Sequence, residues 1–405
     1  MRRLPLLLGL AAAFLNPLAC RAQAALPVLT LQRALELATG HSPGVAAARR
    51  SVEAAEGAIR QAGARPNPTF NAAIEDLRRD ARTTTATLDL PLDLAGKRAA
   101  RVTAAERARD LAVAEAAQAR AQVRGDAIAA YFQVLVAQER ARIARDSVDL
   151  AARGAEAAAK RVAAGRVSPV EETRAAVAVA NARLEEAEAA AELQAWRLAL
   201  AMALGEAQPG FAQVEPAGAG VPERPAVPEL LARLESAPAL QAGRREVERR
   251  RALIDVERTR AHPDLTLTVG ARRDNALGRT QAVLGLSVPL PLADRNEGAI
   301  HEAAQLAGRA EDEREATRLR LASELQQAAS RLAVARTSAA TLQATVLPAA
   351  LQAYQSATIG FEAGKFSFME VLDAQRALLA ARSRYLNSLS AAYQAAGSID
   401  RILGE

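Results

Sequence analysis

Apolar residues recur at helical spacing along most of this chain and switch to strict alternation in four short places. Phe70, Ala72 and Ile74 alternate with Asn71, Ala73 and Glu75; Ala86, Leu88 and Leu90 alternate with Thr85, Thr87 and Asp89. Period two gives a strand one apolar and one polar face. Leu265 to Val269 and Ala282 to Val288 complete the set, so strands are predicted at about 68–77, 83–91, 264–273 and 280–289. Polar loops, 78–82 and 272–280, join each pair.

The helices are far longer than the strands. No proline interrupts the pattern from about 94 to 164, which at 1.5 Å per residue is about 105 Å of helix. Ordinary globular helices run to about three or four turns. Val136, Ile143 and Leu150 fall seven apart, a coiled-coil spacing. After a break at Gly165, Arg166, Val167 and Ser168, a helix is predicted over about 169–204, with Pro169 allowed in its first turn. Leu193, Trp196 and Leu200 mark its buried stripe, and Trp196 is read as packing rather than as a ligand site. A second long helix is predicted over about 294–363, kinked at Pro348, where a hydrogen bond is lost. The last helix, about 367–403, carries two heptad series: Leu372, Leu379, Leu386 and Tyr393, and Leu378, Tyr385, Ala392 and Ile399. Two adjacent seams require two neighbours, as in a closed ring of helices.

The same programme is written twice. A short helix, a helix entered through Ser42-Pro43 or Ser236-Ala237-Pro238, a proline break, two strands and two long helices recur in order. Leu90-Pro91-Leu92 aligns with Val288-Pro289-Leu290, Gly165 with Gly364, and Leu204-Gly205 with Leu403-Gly404. The offset of about 195–200 residues marks a tandem duplication. The organisation read from this is a leader over 1–24, repeat 1 over 25–204, a Pro/Gly-rich linker over 205–228, and repeat 2 over 229–405.

Composition narrows the class. The chain has 405 residues, 50% hydrophobic but only 3% aromatic, so its core is built from Ala, Leu and Val. Formal charge is +6, and without Arg2, Arg3 and Arg21 of the leader about +3, too mild to argue for nucleic acid. Arg2-Arg3, the apolar run Leu4 to Leu15 and the small-x-small site Ala22-Gln23-Ala24 read as an export signal cleaved after Ala24. Cys20, the single cysteine, competes as a lipid attachment point, although Pro17 sits where a lipoprotein signal wants an aliphatic residue. No later run of about 18 apolar residues exists, so a membrane role must use strands or an interfacial surface.

The expected fold class is mainly α with a small β part, each repeat being helix, strand, strand, helix. Four strands cannot close a barrel alone, since small barrels use about eight or more; three chains would supply twelve. The rival reading is a soluble periplasmic coiled-coil scaffold or adaptor whose hairpins cap a bundle. Scarce aromatics favour it, because outer-membrane barrels carry aromatic girdles and only Phe70 lies in these strands.

The signal peptide, the duplicated plan and Gly364-Lys365-Phe366-Ser367-Phe368-Met369-Glu370-Val371-Leu372-Asp373-Ala374-Gln375 resemble the TolC-like outer-membrane efflux family over essentially the whole mature chain. Asp93-Leu94-Ala95-Gly96-Lys97-Arg98-Ala99-Ala100-Arg101 resembles the branch serving cobalt–zinc–cadmium pumps. The resemblance implies a homotrimer in the cell outer membrane, with a twelve-stranded barrel in outer-membrane lipid and a helical tunnel through the periplasm. It implies a passive exit duct, fed by an inner-membrane resistance–nodulation–division type pump through a periplasmic adaptor protein. Heavy-metal cations are the expected cargo, with drugs or type I secreted polypeptides as the alternative.

In that frame the turns Gly165, Arg166, Val167, Ser168 and Gly364, Lys365, Phe366, Ser367 form the periplasmic tip that meets the adaptor. Glu370 and Asp373, three apart on one helix face, would stack as acidic rings selecting cations at the constriction. The competing reading is a helix start where the dipole favours acids. Glu171, Glu172 and Arg174 are the repeat 1 counterparts. Phe361, Phe366 and Phe368 either pack the closed end or dock the adaptor. His41, His262 and His301 are scattered and no His/Cys cluster has metal spacing, so no catalytic residue, cofactor or tight metal site is expected. Gly96-Lys97-Arg98 lacks a phosphate-binding loop.

Overall fold

The structure is a computed structural model that describes residues 27–76, 78–215 and 221–404. The leader with Cys20 and Ala24, Leu77 and the Phe368 side chain lie outside what is described. Fifteen elements are named here in chain order: β1 (Val28–Leu29), α1 (Leu31–His41), α2 (Pro43–Ala62), β2 (Thr69–Glu75), β3 (Thr83–Leu92), α3 (Lys97–Ala163), α4 (Pro169–Ala203), β4 (Gln213–Val214), α5 (Val227–Ala232), α6 (Pro238–Arg260), β5 (Leu265–Asp274), β6 (Arg279–Ser287), α7 (Glu297–Thr341), α8 (Leu347–Glu362) and α9 (Phe368–Leu403). No described helix is long and apolar enough to cross a membrane.

The two strand pairs merge into one antiparallel sheet, ordered β2-β3-β5-β6. Register carries the period-two pattern across it. Phe70 pairs with Leu88, Leu88 with Val269, and Val269 with Leu284, so one apolar row crosses all four strands. Leu90, Leu267 and Leu286 form the next row on the same face. The opposite face is polar: Asp89 accepts from Asn71 Nδ2 and from Thr268 Oγ1, each at 2.7 Å. Among the described residues nothing covers the apolar face, where Phe70 is 68% exposed and Leu284 77%.

Below the sheet, α3 runs unbroken for 67 residues. Its hairpin with α4 is held by alanine. Ala137, Ala144, Ala151 and Ala158 fall seven apart and are buried, as are Ala175, Ala182 and Ala189 on α4. Side chains this small let helix axes approach toward the short end of the 8–10 Å range. The expected seam of Val136, Ile143 and Leu150 is only half-buried; Val136 and Ile143 line a groove of about 910 Å³ against α8 and α9. The expected series thus faces the second hairpin, and the α3–α4 contact is alanine because a close antiparallel pair excludes larger side chains. On α9, Leu372, Leu378, Leu386, Ala392 and Ile399 are buried, with Leu379, Tyr385 and Tyr393 half-buried beside them. Tyr393 stacks on Phe132 of α3 at 3.7 Å between ring centroids. Trp196 packs against the core around Tyr131 and Leu200.

Two features depart from expectation. The helix expected over 294–363 is interrupted by a π-helical turn, Leu342–Val346, immediately before Pro348. A wide turn absorbs the missing proline donor without a sharp break. The 205–228 stretch is more than a linker. Its β4 pairs in parallel with β1, and Gln138 of α3 imitates a strand partner: its Oε1 accepts from Val214 N at 2.7 Å and its Nε2 donates to Val214 O at 3.1 Å. Tyr131 Oη lies 2.7 Å from Glu215 O, and burial pushes this phenol up to about 12. Farther on, Arg224 clamps the buried Asp400 carboxylate of α9 through Nε and Nη2 at 2.7 and 2.5 Å.

The alanine seam sets a clear expectation. Ala182→Leu forces a large side chain into the α3–α4 contact and should cost about 1–3 kcal/mol. A lowered thermal midpoint checks this; an unchanged midpoint removes the close-packed seam.

Candidate functional site at the helical turns

Both long hairpins turn in the same way. Gly165 and Gly364 adopt φ of +66° and +74°, a left-handed conformation that costs glycine least. Around each, paired backbone bonds close the preceding helix: Gly165 N donates to Val162 O and Arg166 N to Arg161 O, both at 2.9 Å. Gly364 N donates to Phe361 O at 2.9 Å and Lys365 N to Gly360 O at 2.8 Å. This is the Schellman arrangement, duplicated with the sequence. Space is no constraint, since a Cβ at either glycine would meet nothing within 4 Å.

The next helix starts differently in each copy. Ser168 accepts from Val170 N at 3.4 Å, with Pro169 in the first turn. Ser367 forms a full capping box: its Oγ accepts from Glu370 N at 3.4 Å, while Glu370 Oε2 accepts from Ser367 N at 2.6 Å. The Glu370 carboxylate thus turns back to the helix start, where the dipole and an orphan N–H hold it. Asp373 stands exposed one turn later, 3.6 Å from Arg376. Glu171 faces Arg174 at 3.3 Å, and its Oε2 is buried without a hydrogen-bond partner.

The two turns meet through residues from both copies. Val167, Ser168, Phe366 and Ser367 line one cavity of about 250 Å³ together with Arg161, Glu171 and Phe361. Arg166 and Lys365 point outward and are exposed. Across the cavity the guanidinium of Arg161 lies 3.9 Å above the Phe361 ring. Arg161 Nη2 also donates to Phe361 O and, at 3.4 Å, to Glu362 O. A cation over an aromatic face and at a helix C-terminus is doubly favoured. Phe361 is buried in a small core with Ala158, Ala175 and Leu372.

Arg161 and Gly360 join the candidate site, and neither copy of the repeat taken singly points to them. The repeat offset superposes them, one arginine against one glycine. Arg161 reaches across to the second hairpin; Gly360 leaves the space where the Phe366 ring sits. A Cβ on Gly360 would lie 2.1 Å from that ring. The duplication was the available signal, since a swap between the largest cation and no side chain marks where two like hairpins were made to fit each other. Among the described residues no group of His, Cys, Asp or Glu could hold a metal ion.

The architecture is a duplicated strand-pair and helical-hairpin chain, with an exposed apolar sheet face at one end and two joined turns at the other. The chain belongs to the outer membrane efflux protein family, whose profile matches residues 34–206 and 231–405, one segment in each repeat. Members are outer-membrane channels and not enzymes, which sets aside the soluble scaffold reading. Among individual proteins, the chain is 50% identical over 418 residues to the cobalt-zinc-cadmium resistance protein CzcC of Cupriavidus metallidurans, covering 100% of both. The nickel and cobalt resistance protein CnrC of the same organism is 30% identical over 315 residues, 75% of this chain and 73% of that one. In solved structures, the outer membrane protein VceC of Vibrio cholerae matches with a TM-score of 0.78 at 22% identity, covering 92% of this chain and 96% of that one. CusC matches with a TM-score of 0.78 at 18% identity, covering 94% and 93%. At such identities these two speak for the fold.

The joined turns predict a local effect. Gly360→Ala evicts the Phe366 ring, and Arg161→Met keeps the stem while removing the cation. Each should raise proteolytic cutting within 361–367 about tenfold, equivalent to about 1.4 kcal/mol of local opening. Unchanged cutting rates for both would show that the two turns do not hold each other.

Proposed function

We propose that three copies of this chain join their sheets into a twelve-stranded barrel in the outer membrane and their helices into a periplasmic tunnel. The duct is passive and carries heavy-metal cations delivered by a resistance–nodulation–division type inner-membrane pump through a periplasmic adaptor. One observation carries the reading: an apolar face continuous across four strands, uncovered, at the end of helices about 100 Å long. Only lipid, or further copies beside lipid, satisfies such a face while the polar face lines water. The metal cargo rests on the similarity to CzcC, a cobalt-zinc-cadmium resistance protein, and CnrC, a nickel and cobalt resistance protein.

The turns are the end that meets the adaptor. Arg166 and Lys365 offer exposed charge there, and Phe366 is 43% exposed beside Gly364. Glu370 and Asp373 are the selectivity residues. The capping box fixes Glu370 at the mouth of the hairpin, and Asp373 projects from the same helix one turn in. Repeated around a three-fold axis within low-dielectric walls, such carboxylates focus a negative field on the passage and favour cations. Each repeat, 25–204 and 229–405, is one unit of this design, with 205–228 as the strap between them. Cleavage after Ala24 releases the mature chain and removes Cys20.

Deletion of the gene should sensitise cells to zinc, cobalt, cadmium or copper. Sensitivity to hydrophobic drugs alone would reassign the cargo. In planar bilayers, Glu370→Ala combined with Asp373→Ala should shift the channel toward equal passage of cations and anions. Unaltered cation preference removes both residues from the selectivity role.

A further inference from the structure

The apolar face of the sheet carries polar side chains in a single row. Within β2, β3, β5 and β6 every residue on that face is apolar except where Ile74 pairs with Thr84, Thr84 with Arg273, and Arg273 with Thr280. Arg273 is the one charge on this face among the described strand residues, and it is exposed. It lies on β5, an inner strand of the sheet, so the row is complete within one chain.

Height places the row. The strands meet the helices near the Leu92–Leu265 pair and turn back at the opposite end, through loops 76–82 and 275–278. Eight residues separate Leu92–Leu265 from Thr84–Arg273. At about 3.4 Å per residue that is about 27 Å of strand, or about 21 Å of height at a tilt of about 40°. The apolar band of an outer-membrane barrel is about 25 Å tall, and aromatic girdles normally mark its edges. Phe70 is the single aromatic in the described strands, and its row lies two rows inside the Arg273 row. Arg273 therefore stands at the level of a girdle, where an arginine lays its stem on apolar surface and sends its guanidinium to the headgroups.

The donors there suit a phosphate. Arg273 Nη1 donates to Thr280 Oγ1 at 3.4 Å, which leaves most of the guanidinium fork free. Thr280 accepts that bond and keeps its own proton to donate. Thr84 Oγ1 has no hydrogen-bond partner among the described residues. Three donor side chains thus stand on adjacent strands about 4.8 Å apart. Neighbouring acids do not cancel the charge. Asp76 is clamped by Arg78 at 3.2 and 2.8 Å, and Glu75 and Asp274 fall on the opposite face by register. Arginine pairs with phosphate bidentately, through charge-assisted bonds. Resting on the proposed barrel, we infer that Thr84, Arg273 and Thr280 bind a phosphate group on the headgroup of an outer-leaflet lipid. The contact fixes the depth of the barrel in the membrane, the task an aromatic girdle performs elsewhere.

Lipid A, a phosphorylated disaccharide lipid, is the probe, added to the detergent-extracted protein and followed by native mass spectrometry. Arg273→Gln should weaken its binding about tenfold, and Thr84→Val combined with Thr280→Val about threefold. Arg279→Gln removes the same charge from the face that lines water and should leave binding unchanged. Unchanged binding in Arg273→Gln, or an equal loss in Arg279→Gln, overturns the site. Dephosphorylated lipid A should bind the wild type about as weakly as lipid A binds Arg273→Gln; full affinity without the phosphates overturns the assignment to phosphate. Excess inorganic phosphate should leave lipid A bound, and displacement would reassign the row to a free oxyanion and overturn the lipid. Planar bilayers separate this from the channel reading. A wild-type protein that forms no channel overturns the barrel and the site together. A conducting channel whose affinity for lipid A ignores Arg273→Gln overturns the site alone.

Discussion

An apolar sheet face that no described part of the chain covers is the constraint on which the rest depends. Four strands cannot curl far enough to bury their own side chains, and both outer edges, β2 and β6, keep unpaired backbone groups. In water such a surface would seek other sheets indiscriminately. The register makes it two-faced, with Phe70, Leu88, Val269 and Leu284 in one row and Asp89 bonded to Asn71 and Thr268 on the other side. Closure with other copies in a bilayer resolves both the apolar area and the free edges. The family match assigns the chain to channels that live in that setting.

The helical part solves a different problem, which is length. A helix of 67 residues cannot be stabilised by a single globular core. It is stabilised by a repeated close contact, and alanine at every seventh position supplies it. Large side chains are kept for places where three elements converge, such as Tyr131, Phe132 and Leu200 under the β1–β4 strap. Duplication then doubles the plan, and the copies diverge where they touch. Arg161 stands where its counterpart is Gly360, and Phe366 uses the space that glycine leaves. An identical pair of turns could not interlock in this way, because neither would have both a projection and a recess.

Much of this was legible because periodicity is a local property. Alternation in 69–75 and 83–90 found the strands, and unbroken helical spacing found α3. The offset between Gly165 and Gly364 found a turn whose two closing backbone hydrogen bonds recur in both copies. Other features were not legible. Hydrophobicity alone selects Val136, Ile143 and Leu150, whereas the α3–α4 seam is alanine because those helices lie close. Residues 213 and 214 carry no strand period, since two residues cannot show one; their strand exists through Gln138 and β1. Glu370 looked like a pore charge, and its first structural task is a capping box, visible in sequence as Ser367 followed three residues later by Glu370.

The sequence alone determined the class of each element, the duplication, the turns and the two-faced character of the strands. These follow from spacing and from the backbone preferences of glycine, proline and serine, which act over a few residues. Only the tertiary structure decided which residues meet across about 200 positions of chain: Arg161 with Phe361, Phe132 with Tyr393, and Tyr131 with Glu215. Those contacts depend on the relative height and separation of long helices. Height and separation are set by many small packing contacts together, and no single stretch of sequence records them.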